Sequence, residues 1–274
     1  MLSVDWSGAA DPAGQRRAIW VAEAVDGALV TLTAGRTRAE TVTWILERAD
    51  RGEPPLVGFD FSFSFPAWWG RDLGASCGPD LWPVVAERGE EWLRGCQPPF
   101  WGRTGKSRPP PTAAQDPFRR TEHELRALGL RPTSTFQIGG AGSVGTGSIR
   151  GMPHLSQLRA AGVAVWPFDK WSTTGPVAAE IYPRWYTGPV VKSRERERRH
   201  HLGELRPPLP PALLDTAASG DDAFDAALAA LVLSAGVAPL APLDDIDRLE
   251  GRVLAPPASG RGGGQTPAAT ASGG

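Results

Sequence analysis

Leu56-Val57-Gly58-Phe59-Asp60-Phe61-Ser62-Phe63-Ser64-Phe65-Pro66 opens on a short apolar run and then alternates aromatic with small polar residues. The pattern predicts a strand buried on both faces that becomes half-exposed toward its C-terminal end. Asp60 lies inside the apolar part. A buried carboxylate is costly unless it is paired, hydrogen-bonded or bound to a cation. The N-terminus repeats the arrangement. Leu2-Ser3-Val4-Asp5-Trp6-Ser7-Gly8 is another short apolar run that ends on an aspartate and a glycine turn. Two such strands would bring Asp5 and Asp60 to one edge of a sheet, where a divalent cation offsets their repulsion. Taken singly, each aspartate also fits a turn or helix cap.

Between these stretches, Asp11 to Gln15 reads as a turn, and Arg17 to Val25 and Ala28 to Thr33 read as strands. Asp26-Gly27 joins the two strands and predicts a tight hairpin, because a primed turn needs positive φ. Thr37 to Arg51 predicts a helix capped by Thr37, with Glu40 three residues on and an apolar stripe of Val42, Ile45, Leu46 and Ala49. Three antiparallel strands, a helix and a strand carrying a second carboxylate make up the opening order of the ribonuclease H-like fold.

Residues 67–116 break the pattern. The segment is rich in Trp, Pro, Gly and Arg, and it predicts an irregular insertion with a short helix at Glu87 to Leu93. Arg103, Lys106 and Arg108 beside Phe100 and Trp101 suit a phosphate backbone and a stacked base; a solvated loop with aromatic anchors is the competing reading. Pro117 to Leu128 predicts a helix. Gly139 to Gly147 then supplies a permissive backbone able to approach an anion, but it lacks the phosphate-loop and dinucleotide fingerprints. The simpler reading is a glycine-rich entry into a helix over Pro153 to Ala161. Val163 to Pro167 and Val177 to Tyr182 predict strands, the second holding Glu180 among apolar residues.

Lys192 to His201 is charged and reads as a solvated helix, with phosphate contact as the alternative. Gly220 to Ala235 is the strongest helix, with Asp222 and Asp225 on one face. Either Asp221 or Asp222 suits its N-terminal cap. Glu250 to Leu254 reads as a final edge strand, and Pro256 to Gly274 as a disordered tail.

The chain has 274 residues, a formal charge of −1 and 41% hydrophobic residues. It accommodates one large core, expected over residues 1–255. The near-neutral charge does not announce a nucleic-acid binder, so any such role must rest on local patches. Cys77 and Cys96 do not make a disulfide framework and lack metal-site spacing. No basic leader, apolar h-region or membrane-length apolar run is present, so the expectation is a cytoplasmic protein without membrane association.

Asp5, Asp60, Glu180, Asp222 and Asp225 come from four elements, three of them apolar strands. Two-metal phosphodiester chemistry uses such a set, holding two Mg²⁺ or Mn²⁺ ions about 3.5–4 Å apart. The chain resembles the domain-of-unknown-function family 429, described as predicted nucleases of the ribonuclease H-like fold. The likeness lies in VDWSGA at Val4 to Ala9, GFDFSFSFP at Gly58 to Pro66 and FQIGGAGSVGTGSIRGMP at Phe136 to Pro153. It continues in VWPF at Val165 to Phe168, AEIYP at Ala179 to Pro183, DDAFDAALAAL at Asp221 to Leu231 and the late EGRVL. The resemblance implies a ribonuclease H-like α/β core, a mixed sheet flanked by helices; the Trp/Pro-rich insertion after the fourth strand is read from the residues and is not part of a minimal core of that kind. It also implies Asp5, Asp60, Glu180 and Asp225 as metal-binding acids, with Asp222 beside them.

The leading expectation is a divalent-metal-dependent nuclease with a nucleic-acid substrate. Ser7, Ser62, Ser143, Thr146, Arg103, Lys106 and Lys192 are its expected substrate-binding residues. One alternative is a nucleotide-binding phosphotransferase of the sugar kinase or actin-like ATPase type. There the Gly139 to Gly147 segment would hold phosphates, although a second glycine-rich loop near Asp60 is missing. The other is a non-catalytic nucleic-acid-binding module on the same fold.

Overall fold

Four buried residues, two of them apolar, and the need to pair their backbone groups set the centre of the molecule. β1 (Leu2–Asp5) is fully buried and occupies the third place in a six-stranded sheet. The computed structural model describes residues 1–52, 56–110, 112, 115–238 and 240–257. Most of the expected tail, 258–274, lies outside the described residues.

The chain next forms α1 (Pro12–Ala18), not the expected turn and early strand. Asp11 explains it: its carboxylate accepts the Gly14 N–H at 2.8 Å, and Pro12 pre-sets the first helical φ. β2 (Trp20–Val25) and β3 (Ala28–Thr33) follow as an antiparallel hairpin. Asp26 and Gly27 have φ of 50° and 77°, the paired positive values that this turn requires. α2 (Arg38–Asp50) carries the expected capping box between Thr37 and Glu40.

β4 (Leu56–Phe59) runs parallel to β1 and stops one residue before Asp60. The expected continuation to Pro66 is not a strand. Phe61, Phe63 and Phe65 leave the ladder and enter the core, and Ser62 and Ser64 are buried with them. Ring packing among these phenylalanines and with Trp6, Trp69 and Phe136 replaces the missing ladder.

Nearly half of the insertion is helical. α3 (Ala67–Asp72) and the eighteen-residue α4 (Gly78–Gly95) fill much of it. Asp80 starts α4 by accepting the Ser76 and Cys77 N–H groups at 2.8 and 3.0 Å. Pro83 is tolerated inside α4, and Leu81, Trp82, Val85, Trp92 and Leu93 form its buried stripe.

α5 (Arg120–Ala127) and α6 (Gly145–Ala160) come next. α6 begins eight residues before Pro153, the expected start. The Gly145 N–H bonds to Gln137 O at 2.9 Å, and any side chain at Gly145 would collide with the Thr135 and Gln137 carbonyls. β5 (Ala164–Trp166) and β6 (Val177–Glu180) complete the sheet, of order β3-β2-β1-β4-β6-β5, parallel to each other and to β4.

The chain ends with α7 (Pro183–Thr187), α8 (Glu195–Gly203), α9 (Pro211–Ala218), α10 (Asp221–Ser234) and α11 (Asp245–Glu250). Glu250 closes α11, so the expected edge strand reduces to a single bridge between Val253 and Glu180. Gly220, not an aspartate, is the N-cap of α10. The architecture is α/β, a mixed sheet flanked by helices.

Strand alternation sorts the two faces. Leu2, Val4, Val57, Phe59 and Ala178 pack with α2, α4 and α6. Leu56, Ala179 and Ile181 pack with Ala229 and Leu233 of α10. α10 is apolar on nearly every side, the pattern of a buried helix, which makes Asp225 within it conspicuous.

Candidate active site

β1 and β4 pair in parallel with Val4 opposite Phe59, and the Asp60 N–H bonds to Val4 O at 3.3 Å. Asp5 and Asp60 are therefore neighbours at the C-terminal edge. Being one residue past Val4 and Phe59, they project to the opposite face, toward α10. Asp222 and Asp225 approach from α10. The four aspartates line one cleft of about 740 Å³.

The same alternation removes Glu180 from the set. It pairs with Phe59, so its side chain points to the Phe59 face. There Arg119 takes its two oxygens at 2.5 and 2.8 Å, and the Phe63 N–H donates to it at 3.0 Å. The expectation of Glu180 as a catalytic and metal-binding acid is corrected on this ground. With Asp60 it shares only a narrow crevice of about 40 Å³.

The cleft acids differ in what satisfies them. Asp60 Oδ1 accepts the Trp6 N–H at 2.6 Å. Asp225 Oδ2 meets the Lys192 ammonium, while Asp225 Oδ1 is buried with no hydrogen-bond partner. Asp5 is 8% exposed, and among the described residues nothing donates a hydrogen bond to its carboxylate. Burial raises the Asp5 pKa well above the usual carboxylate range, and Asp60, Asp222 and Asp225 add to it. Burial likewise pushes Asp60 up to about 7, opposed by the Trp6 N–H and reinforced by Asp225 and Asp222. Asp222 and Asp225 are raised by burial, with Lys192 pulling both back.

The other expected residues divide. Ser143, Thr146 and Lys192 line the cleft, and Gly142 and Gly147 place the glycine-rich segment on its wall. Gly8 is required here, since a Cβ there would come within 2.9 Å of the Gly147 nitrogen. Ser7 lies off the cleft and accepts the Ala9 N–H at 3.1 Å. Ser62 is buried, its N–H on Ser148 Oγ at 2.9 Å. Arg103 and Lys106 belong to a turn closed by the Lys106 N–H on Arg103 O and are not among the residues lining the cleft. Phe100 and Trp101 are buried in the aromatic core, so the expected base-stacking platform is not formed.

Sequence reading missed Arg131, Arg184 and Tyr182, which also line the cleft. Tyr182 follows Glu180 in the AEIYP stretch and was open to notice. Nothing local marked the two arginines.

Among the described residues, no three or more Asp, Glu, His or Cys side chains are placed so that they could hold a metal ion as the chain stands. Glu180 faces away, and the Lys192 ammonium occupies one side of Asp225. The donor chemistry still fits a hard divalent cation. Every candidate ligand is a carboxylate oxygen, and the unpartnered Asp225 Oδ1 and Asp5 carboxylate are buried acceptors awaiting positive charge.

No protein-family model, curated protein or solved structure matches this chain.

Proposed function

We propose that this protein is a divalent-metal-dependent nuclease of ribonuclease H-like architecture, hydrolysing phosphodiester bonds at the aspartate cleft. One observation carries the reading: Asp5, nine-tenths buried and unpartnered, shares the cleft with Asp60, Asp222 and Asp225. A cluster so costly in isolation makes sense as a cation site. The β3-β2-β1-β4 order, with β2 reversed and an aspartate ending β1 and following β4, supports the architecture.

Asp5, Asp60 and Asp225 would hold Mg²⁺ or Mn²⁺, with Asp222 at the rim. A bound ion supplies charge neutralisation and a water of lowered pKa. The protein's own groups do the rest. The Trp6 N–H fixes the Asp60 carboxylate. Lys192, Arg184 and Arg131 present positive charge to a phosphodiester, and Ser143 offers a hydroxyl from the opposite wall. Trp6, Phe61 and Tyr182 give the cleft aromatic surface suited to a base or sugar.

The test is a cleavage screen over single- and double-stranded DNA, RNA, hybrids and branched junctions, with Mg²⁺, Mn²⁺ or chelator. Cleavage should require metal and vanish in Asp60→Asn, whose amide oxygen can still accept the Trp6 N–H. Metal-independent cleavage, or cleavage surviving that substitution, would count against the reading.

A second reading has its own support. Gly142, Ser143, Thr146 and Gly147 at the start of α6 line the same cleft and would suit the phosphates of a nucleotide in a phosphotransferase. ATP binding without nucleic-acid cleavage would favour it.

A further inference from the structure

Lys192 is not an ordinary surface lysine. Its ammonium sits on Asp225 Oδ2 inside the cleft, and its charge also acts on Asp5, Asp60 and Asp222. Its backbone is held as well. The Arg198 guanidinium, 6% exposed, donates to the Lys192 carbonyl, to Ala218 O at 2.9 Å and to Asp221 Oδ1 at 3.0 Å. One buried arginine thus ties the segment bearing Lys192 to the first turn of α10, the helix that carries Asp222 in that turn and Asp225 just beyond it. Among the described residues no hydrogen-bond donor meets Asp225 Oδ1 or the Asp5 carboxylate, so the lysine satisfies only part of the acidic set.

From this geometry we infer that Lys192 is the built-in second cation of the cleft, so that the site takes one divalent ion per chain and not two. The inference rests on the metal-dependent reading above and refines it. Two divalent ions in a carboxylate site keep their separation because shared oxygens screen them from each other. Here a fixed ammonium already covers one side of Asp225. A metal on that side would have to displace a lysine whose backbone is anchored by Arg198. Among the described residues, no other cation bonds Asp5 or Asp225. Lys192 then acts as a positioning and charge-balancing residue, holding Asp225 toward the remaining ion and lending positive charge to the phosphate.

Stoichiometry of Mn²⁺ binding to the full chain, read by calorimetry and by the paramagnetic resonance signal of bound Mn²⁺, tests the inference without any turnover. Wild type should bind one ion, with the spectrum of an isolated Mn²⁺. Lys192→Met should bind a second ion, with spin coupling between the pair, or bind the first at least about tenfold more tightly. Lys192→Gln, which keeps a polar head, serves if the methionine variant does not fold, and the wild-type count needs no variant. Two ions in the wild type would overturn the inference and leave the nuclease reading standing. So would one ion in both proteins at unchanged affinity. Absence of Mn²⁺ binding in all of them would remove the metal-dependent reading and this inference with it.

Discussion

Two groups of acids sit at the same strand ends, on opposite faces of the sheet, and their surroundings differ sharply. On the Phe59 face, Arg119 is fully buried and bonds Glu122, Glu180 and the Glu250 carbonyl. The Glu250 carboxylate in turn accepts the Ala67 and Arg120 N–H groups at 2.7 and 2.6 Å. Burial works against the Arg119 charge, yet Glu122 and Glu180 more than compensate and raise its pKa. On the α10 face, Lys192 shares a cleft with four aspartates; Asp225 keeps a buried oxygen without a partner, and among the described residues nothing donates a hydrogen bond to the Asp5 carboxylate. The first cluster is closed by the protein itself and joins β6, α5 and the chain end. The second is left short of positive charge. Acids in a core are therefore not diagnostic of function; acids that the fold declines to neutralise are the informative ones.

The largest effect expected from this contrast is on stability. Arg119→Met strands Glu122 and Glu180 without their partner and should destabilise the protein by about 3–5 kcal/mol. Urea unfolding monitored by tryptophan fluorescence measures it; a loss under about 1 kcal/mol would erase the distinction between the clusters.

Metal should act on the other face alone. At a hundredfold excess over Kd, Mn²⁺ should stabilise wild type by about 2.7 kcal/mol, raising Tm by roughly 5–10 °C. Asp60→Asn should lose most of that response. A melting curve unmoved by millimolar Mn²⁺ would break the comparison, since both clusters would then be structural.

The pH dependence follows from Asp60, pushed up to about 7 against an ordinary value near 4. The folded state then binds more protons than the unfolded chain between these values. The contribution of Asp60 is fully favourable below about pH 4 and is lost as pH rises through about 7. Without metal, Asp60→Asn should match wild type near pH 4 and exceed it by on the order of 2 kcal/mol at pH 8. A variant weaker than wild type at pH 8 would mean that Asp60 is held as a structural acceptor.

The smallest effect is expected at Lys106. It is not among the residues lining the cleft, so Lys106→Ala should change stability by no more than about 0.5 kcal/mol and leave Mn²⁺ binding as it was. A clear loss of nucleic-acid binding in this variant would extend the functional surface to the 101–106 turn.

Local chemistry decided a good part of this molecule in advance. The Thr37 capping box, the Asp26-Gly27 hairpin and the apolar α10 each depend on residues a few positions apart, so a one-dimensional reading found them. Asp5 and Asp60 were legible for the same reason, because an acid at the end of an apolar run needs no partner to look unusual. The phase of a strand was the first thing that reading could not supply. One residue of offset in register turns Glu180 to the face opposite Asp60, and register is set by pairing between distant segments. The Trp- and Pro-rich insertion looked irregular because composition hides a helical stripe; α4 is stabilised by burying Leu81, Trp82 and Leu93 in a core assembled elsewhere. Charge partners were likewise out of reach. Arg119 lies 61 residues from Glu180, and Lys192 lies 33 from Asp225. Coulomb attraction acts through space, so only the folded chain could decide which acids are neutralised and which are left open.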